Sequence, residues 1–256
     1  MKQFFIAFLA ITTFFACKKD NDKDNDQPAG SRLVEQRTGD DYVKLEYGAN
    51  GKVNKAIVLD EDFTNSEEVT YNISYNAAGR ISEVLSSNNE VFQPVYENGR
   101  LTKATIMQDN QEIGSTEYTY ENGLVKDAIV KFKVFDVEMV TMKFSFTYDA
   151  QQRVNQSRMW IHNPITNDLE LAGHTEIEYD SKKNPLYDFS DFMLLMWEIP
   201  AVNNVVKETE YDSDNEVDEI RDFNYTYNAD QYPVQAVMST SVRGEVWNTI
   251  LEFKYN

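Results

Sequence analysis

The sequence predicts an all-β fold: an antiparallel hairpin-repeat meander curled into a barrel-like or half-barrel shell, with one apolar insert at about residues 186–203. Three observations carry the prediction. A tyrosine-centred motif recurs along the chain, the residues before each tyrosine alternate in polarity, and the residues after it have the chemistry of tight turns.

The motif is an apolar residue, any residue, Tyr, a polar turn that often ends in Gly-Lys or Gly-Arg, then an aliphatic residue. It begins at Leu45-Glu-Tyr47 with Gly51-Lys52-Val53 and returns at Ile73-Ser-Tyr75 with Gly79-Arg80-Ile81. Tyr47, Tyr75, Tyr96, Tyr120, Tyr148, Tyr179, Tyr227 and Tyr255 follow one another at gaps of 28, 21, 24, 28, 31, 48 and 28 residues, so a single long gap breaks the series. Ahead of the tyrosines, Val69, Tyr71 and Ile73 oppose Thr70, Asn72 and Ser74, and Met142, Phe144 and Phe146 oppose Thr141, Lys143 and Ser145. Phe223, Tyr225 and Tyr227 do the same against Asn224 and Thr226. A period of two built from aromatic and β-branched residues is that of a strand with one buried face.

Turn chemistry follows. Asn98-Gly99 and Asn122-Gly123 are pairs that accept positive φ in a two-residue hairpin, whereas Gly51 and Gly79 stand later, where a longer turn closes through a left-handed residue. Beyond the turns the aliphatics are three apart: Ile81 and Val84, Leu101 and Ala104, Val125 and Ala128, Val234 and Val237. Strict alternation forbids that spacing, so each outgoing strand is expected to carry a bulge. The total is about fourteen strands, and a one-sided apolar sheet of that length must curl on itself or pack in two layers, the barrel being preferred to a sandwich.

The gap of 48 contains Leu186 to Ile199-Pro200, the most apolar stretch outside the N-terminus. Phe189, Phe192, Met193 and Met196 fit one helical face starting near Ser190 or Asp191. Two roles are open to it, a plug over the end or apolar face of the sheet, or an exposed docking patch; the plug is preferred.

The N-terminus reads as an address. One cation, Lys2, precedes an apolar run from Phe4 to Phe15, too short to span a bilayer but suited to a signal-peptide core. Ala16 then stands before Cys17, and the arrangement resembles a bacterial lipobox, in which the thiol is acylated and the chain is cut before it. Phe14 stands where that motif usually has Leu, yet ordinary secretory cleavage tolerates so bulky a residue there poorly. Residues 1–16 are therefore read as a lipoprotein signal peptide, Cys17 as the lipidation site, 17–32 as a flexible acidic tether and 33–256 as the β domain. The aspartates of the tether fail the calcium-loop pattern, since Asn25 and Ser31 fall where Gly and Glu are needed. An acidic tether after the cysteine resembles the surface-export signal of Bacteroidota lipoproteins. It implies an outer membrane lipoprotein, at the cell surface or on the periplasmic face.

Composition bounds the function. The chain has 256 residues, 43 acidic against 24 basic, for a formal charge of −19, which repels nucleic acid and leaves the lipid anchor as the contact with membrane. Cys17 is the single cysteine, so no internal disulfide helps to hold the fold.

The tyrosine motifs resemble YD-repeat proteins. The whole arrangement, with Asn184-Pro185, the insert and Asn203-Asn204-Val205, is similar to a group of Bacteroidota lipoproteins of unknown function and porin-like β fold. The turn glycine after Tyr148, Tyr179 and Tyr227 is missing here. The resemblance implies a porin-like β shell and brings no catalytic residue with it.

No residue qualifies as catalytic, cofactor-binding or metal-ligating, and no cofactor is expected. His162 and His174 have no metal-ligand spacing. The acidic run Glu208, Glu210, Asp212, Asp214, Glu216, Asp218 and Glu219 lacks the calcium-loop residues, Val217 and Phe223 standing in their places. It is read as a solvated strand edge kept from aggregating by its charge. The expected function is a non-enzymatic binding or accessory module with a glycan or an envelope protein as partner. The alternative is a glycan hydrolase working through two carboxylates.

Overall fold

The computed structural model describes residues 32–60, 67–134 and 137–256. The leader, Cys17 and the tether to residue 31 lie outside the described residues. Sixteen strands run in order as Leu33–Thr38 (β1), Asp41–Tyr47 (β2), Val53–Leu59 (β3), Val69–Tyr75 (β4), Ile81–Ser86 (β5), Glu90–Glu97 (β6), Arg100–Gln108 (β7) and Gln111–Glu121 (β8), followed by Leu124–Val134 (β9), Val137–Tyr148 (β10), Val154–Asn163 (β11), Asp168–Lys183 (β12), Asn203–Asp212 (β13), Val217–Tyr227 (β14), Pro233–Val242 (β15) and Glu245–Tyr255 (β16). Each pairs antiparallel with its neighbours in sequence, and β1 closes on β16, Gln36 opposite Phe253 and Thr38 opposite Leu251. The shell is a closed barrel, neither half-barrel nor sandwich, and two strands more numerous than the tyrosine motifs alone indicate.

Alternation decides which side chains point inward. Val43, Ala56, Val58, Val69, Tyr71 and Ile73 are buried on one face of β2 to β4. The opposite face of the barrel is wet and charged: Lys131 bridges Glu117 at 2.7 Å and Glu138 at 3.4 Å, Lys143 meets Asp127 at 3.1 Å, and Lys254 meets Glu35 at 2.7 Å. Such surface pairs add little stability. Their position is informative, because a membrane-embedded barrel wears an apolar band there and pays about 2–4 kcal/mol for a Lys or Arg at mid-bilayer. Around the plug this barrel is apolar inside, and its outer face carries charged pairs of this kind.

The tyrosine motif builds one rim. Each register shifts at the tyrosine: Glu46 faces Lys55 but Tyr47 faces Val53, and the same slip recurs at Tyr75, Tyr96, Tyr120, Tyr148, Tyr179 and Tyr227. The extra residue on the outgoing strand is the expected bulge, and it lets Val53 and Ala56, or Ile81 and Val84, both reach the core. In the last copy the buried pair is Pro233 and Ala236, whereas Val234 is half-buried and Val237 is exposed. The expected pair Val234 and Val237 is thus one residue out of register, because Tyr232 rather than the next residue ends the turn.

Six rim tyrosines, Tyr47, Tyr75, Tyr120, Tyr148, Tyr179 and Tyr255, donate back to a carbonyl of the preceding hairpin. The Tyr47 hydroxyl donates to the Leu33 carbonyl at 2.8 Å, Tyr75 to Val53 at 2.6 Å, Tyr148 to Val125 at 2.6 Å and Tyr255 to Pro233 at 2.7 Å. The basic residue of each turn leans the other way, over the next tyrosine: Arg32 over Tyr47 at 5.5 Å, Lys52 over Tyr75 at 5.2 Å, Arg80 over Tyr96 at 5.3 Å and Arg153 over Tyr179 at 4.8 Å. The turn glycine makes room for it. A Cβ on Gly51, whose φ is +76°, would stand 2.8 Å from Arg32 Nη2. Gly, Lys or Arg, and Tyr are therefore one contact between successive repeats rather than three local choices. Where the glycine is missing, Gln152 and Gln231 adopt φ of 63° and 68° in its place. Tyr148→Phe removes one such hydroxyl and should lower stability by about 1 kcal/mol, read as a shift of the urea midpoint with unchanged slope.

The insert folds inward. A 3-10 turn at Tyr187–Phe189 leads into the helix Ser190–Leu195 (α1). Leu186, Phe189, Phe192, Met193, Leu195, Met196 and Ile199 are all buried. Phe192 meets the edge of Tyr71 at 5.4 Å, and Tyr118 donates to the Leu194 carbonyl at 2.7 Å, so α1 touches strands from different parts of the wall. A sixteen-strand barrel is too wide for its own side chains to fill, and this segment occupies one end of the lumen as a plug.

Candidate functional site in the barrel lumen

The neck of the plug is built by the Asn-Pro and Asn-Asn-Val residues. Asn184 Nδ2 donates to the Ala201 carbonyl at 3.0 Å, Asn203 Nδ2 to the Lys182 carbonyl at 3.0 Å, and Asn204 Nδ2 to Asp180 Oδ2 at 3.1 Å. Asp180 also accepts from the Tyr227 hydroxyl, and Arg153 donates to both the Asp180 carbonyl and Asn203. These amides stitch the two ends of the insert together and satisfy polar groups that the plug would otherwise bury unpaired.

The plug ends in a Schellman arrangement. Glu198 N donates to the Met193 carbonyl at 3.0 Å and Trp197 N to the Leu194 carbonyl at 3.0 Å. The left-handed position that glycine usually fills is held by Trp197, at φ 67°. Its indole lies in a stacked orientation near Phe144, with centroids 6.4 Å apart, and Nε1 donates to Thr116 Oγ1 at 2.7 Å. A left-handed L-residue costs about 1–2 kcal/mol, so these contacts hold the indole in place against strain.

Beyond the plug the lumen turns polar. One lateral row runs Trp247, Thr240, Arg221 and Glu208 across β16, β15, β14 and β13. The next, one step nearer the open end, runs Val242, Glu219, Glu210, Thr175, Ser157 and Phe146. Arg221 gathers the acids: Nη1 is 3.0 Å from Glu208, Nη2 2.6 Å from Glu210 and Nε 2.5 Å from Glu219. Glu208 is 1 % exposed. Burial pushes the Glu210 carboxyl up, with Arg221 working against it. The expectation of a solvated strand edge is corrected here. A closed barrel has no edge at β13 or β14, and Glu208, Glu210 and Glu219 point into the lumen, while Asp214, Glu216 and Asp218 remain exposed around the turn.

Glu198 completes the cluster. It is 6 % exposed, and neither carboxylate oxygen has a hydrogen-bond partner among the described residues. Burial, then the charge of Glu208, pushes its carboxyl well above the usual range. The folded protein therefore keeps a proton here at pH values where the unfolded chain has lost it. The resulting penalty is absent below about pH 4.5, the unfolded value, and grows as pH rises toward the folded value, by up to about 1.4 kcal/mol per pH unit. Glu198→Gln should raise the melting temperature at pH 7 and leave it nearly unchanged at pH 4, as calorimetry would read.

Past the plug the inner face is partly exposed to solvent. Met142, Phe144, Phe146 and Met159 face inward yet are half-exposed, and Trp247 on the same face is 47 % exposed. Trp247 shares its lateral row with Arg221, with Thr240 between them, and Phe146 shares one with Glu210 and Glu219. The histidines lie elsewhere: His162 is 3.3 Å from Asn167 in a turn, and His174 stacks on Tyr211 at 4.4 Å on the outer face. Among the described residues no three His, Cys, Asp or Glu side chains stand together as a metal site. Sequence reasoning passed over Arg221 and Glu198. The signal for Arg221 was present, since the period-two series Phe223, Tyr225, Tyr227 extended backwards puts Arg221 and Glu219 on the inner face. Glu198 had none, because its placement depends on how the plug turns.

Neither a scan of family models nor a search of curated proteins finds a match. Among solved structures the chain is similar to a porin-like protein from Bacteroides uniformis, at 11 % identity over 90 % of this chain and 100 % of that one, with a TM-score of 0.60. A porin-like protein from Bacteroides vulgatus aligns at 12 % identity over 88 % and 99 % of the two chains, with a TM-score of 0.49. The first likeness is one of fold: this chain has a porin-like, all-β barrel fold.

Proposed function

We propose that the protein is a lipid-anchored, non-enzymatic binding module of the bacterial cell envelope that takes its ligand through the open mouth of the lumen. The observation that carries this is the set of inward-facing, partly exposed Phe144, Phe146, Met159 and Trp247 on the same inner face as the Arg221 cluster. Apolar surface with a few fixed polar groups in a concavity is the usual composition of a ligand site. Glycans suit it, through stacking on the aromatic faces, as does a segment of an envelope protein. The hydrolase reading fits less well. Glu198 and Glu208, whose charges act on each other, are both more than nine-tenths buried, and Glu208, Glu210 and Glu219 are tied to one guanidinium.

The anchor is Cys17, followed by the tether 17–32. β1 begins at the tyrosine rim, where Leu33 faces Tyr255, so the tether leaves from the plugged end. Fully extended, the residues ahead of β1 reach on the order of 50 Å. The mouth then points away from an outer membrane anchor, and its acidic turns, with Asp40, Asp109, Asp214 and Glu216, are held off anionic headgroups. The fold likeness to a Bacteroides porin-like protein is in keeping with an envelope role. Two assays on the full-length protein test the reading. Labelling with an alkyne fatty acid should mark wild type and spare Cys17→Ala, and a glycan and envelope-protein screen should return a ligand whose binding Trp247→Ala weakens. Equal labelling of both, or turnover of a bound glycan, would overturn it.

A further inference from the structure

We propose that the ligand carries a positively charged amine, and that this amine pairs with the carboxylate of Glu198 in the lumen. The inference rests on the binding role above and adds the charge of what is bound.

Glu198 is aimed into the barrel from the end of the plug, nine-tenths buried, with both oxygens unpartnered among the described residues. A buried polar group with no partner is rare enough to need a reason. Its neighbourhood offers none. Arg221 is already surrounded by Glu208, Glu210 and Glu219, so one positive charge meets three carboxylates before Glu198 is counted. An ionised carboxylate in a low-dielectric enclosure is costly, so Glu198 ionises there when a cation arrives to pair with it, a gain that a neutral or anionic ligand does not offer. The neutral groups around the site agree. Trp197, adjacent to Glu198, lies near Phe144, and aromatic faces attract an ammonium group. Glu210 and Glu219 keep some exposure toward the lumen, so the negative field reaches the side from which a ligand arrives. A bare metal ion fits less well than an amine, because no metal-ligating group of three side chains is assembled among the described residues.

A proton accompanies the exchange. Glu198 faces Glu208 of β13, which is itself held by Arg221 of β14, while Thr116 of β8 and Phe144 of β10 beside Trp197 are uncharged. Burial favours the protonated form of the Glu198 carboxyl, and pairing with an amine displaces that proton to solvent. Binding therefore tightens as pH rises, by up to about tenfold per pH unit over the range in which the free protein holds that proton.

The test is calorimetric titration of the purified full-length protein in detergent with phenethylamine and spermidine, each also measured at pH 6, 7 and 8, and with phenethyl alcohol as the neutral counterpart. Expected are binding of an amine at least about tenfold tighter than of the alcohol, tightening with pH, and a loss of about tenfold or more in Glu198→Gln together with loss of the pH dependence. Amine selectivity and pH dependence need only wild type, so a poorly folding variant leaves the proposal falsifiable. Alcohol binding as tightly as amine, no amine binding, or an unchanged Glu198→Gln would overturn it. A neutral glycan that binds at the mouth while amines do not would remove this inference and keep the binding role; a chain that binds neither class nor any envelope protein would remove both.

Discussion

Arg221→Met should destabilise the barrel by about 3–5 kcal/mol. The replacement has similar length and apolar character, so packing around β14 is largely kept and charge is what changes. Glu208, 1 % exposed and 3.0 Å from Arg221 Nη1, would lose that guanidinium while staying buried, with Ile177 opposite it on β12. Glu210 and Glu219 would repel each other across β13 and β14, where they stand directly opposite. The carboxyls would answer by taking up protons, so the loss should be greatest at alkaline pH and shrink toward pH 4. Adding Glu208→Gln to Arg221→Met should restore part of the stability, because the most deeply buried carboxylate that Arg221 held is then gone. Urea denaturation of the three proteins measures all of this. A loss below about 1 kcal/mol for Arg221→Met would mean that the cluster is hydrated and not enclosed.

Trp197→Ala should cost about 3–5 kcal/mol, through loss of a large side chain wedged between Phe144 and Thr116. Trp197→Gly should be the milder change by about 1 kcal/mol, which reverses the usual order of Ala and Gly in helical segments. The reason is φ 67° at this position, which glycine adopts freely and alanine does not. If Trp197→Ala proved the more stable of the two, the left-handed closure of α1 would be wrong, and with it the placement of Glu198.

The strands were legible because their signal is local. Aromatic alternation before Tyr75, Tyr148 and Tyr227, and the Asn-Gly turns after Tyr96 and Tyr120, each involve a few consecutive residues, and the structure follows them. Bulges were legible for the same reason: Ile81 and Val84 cannot both be buried without one. What the motif left out is the far rim, whose hairpins turn through Asp109-Asn110 and Arg243-Gly244 with φ of 50°, 62°, 50° and 87° and carry no tyrosine. Closure was not legible either. It depends on β1 meeting β16, a pairing in which Lys254 reaches Glu35 across a sequence separation of 219 residues. Nothing near residue 35 announces its partner. The plug was read from the apolarity of Phe189 to Met196, but its depth and the direction of Glu198 follow from the Schellman end and the Asn184–Asn204 neck. The lumen acids were misplaced because charged residues at alternate positions look the same on a solvated face as on an inner face around an arginine. Burial was decided by Phe223 and Tyr225, two and four residues beyond Arg221, and only the three-dimensional row joins that strand to Glu208.

Amide hydrogen exchange at the β1–β16 seam tests the closed, plugged barrel most directly. The account predicts that amides of residues 34–38 and 251–255 exchange as slowly as those of central strands such as β8 and β9, since both sides of the seam are paired. Exchange within seconds along β1 and β16, with the central strands still protected, would show an open sheet and contradict it.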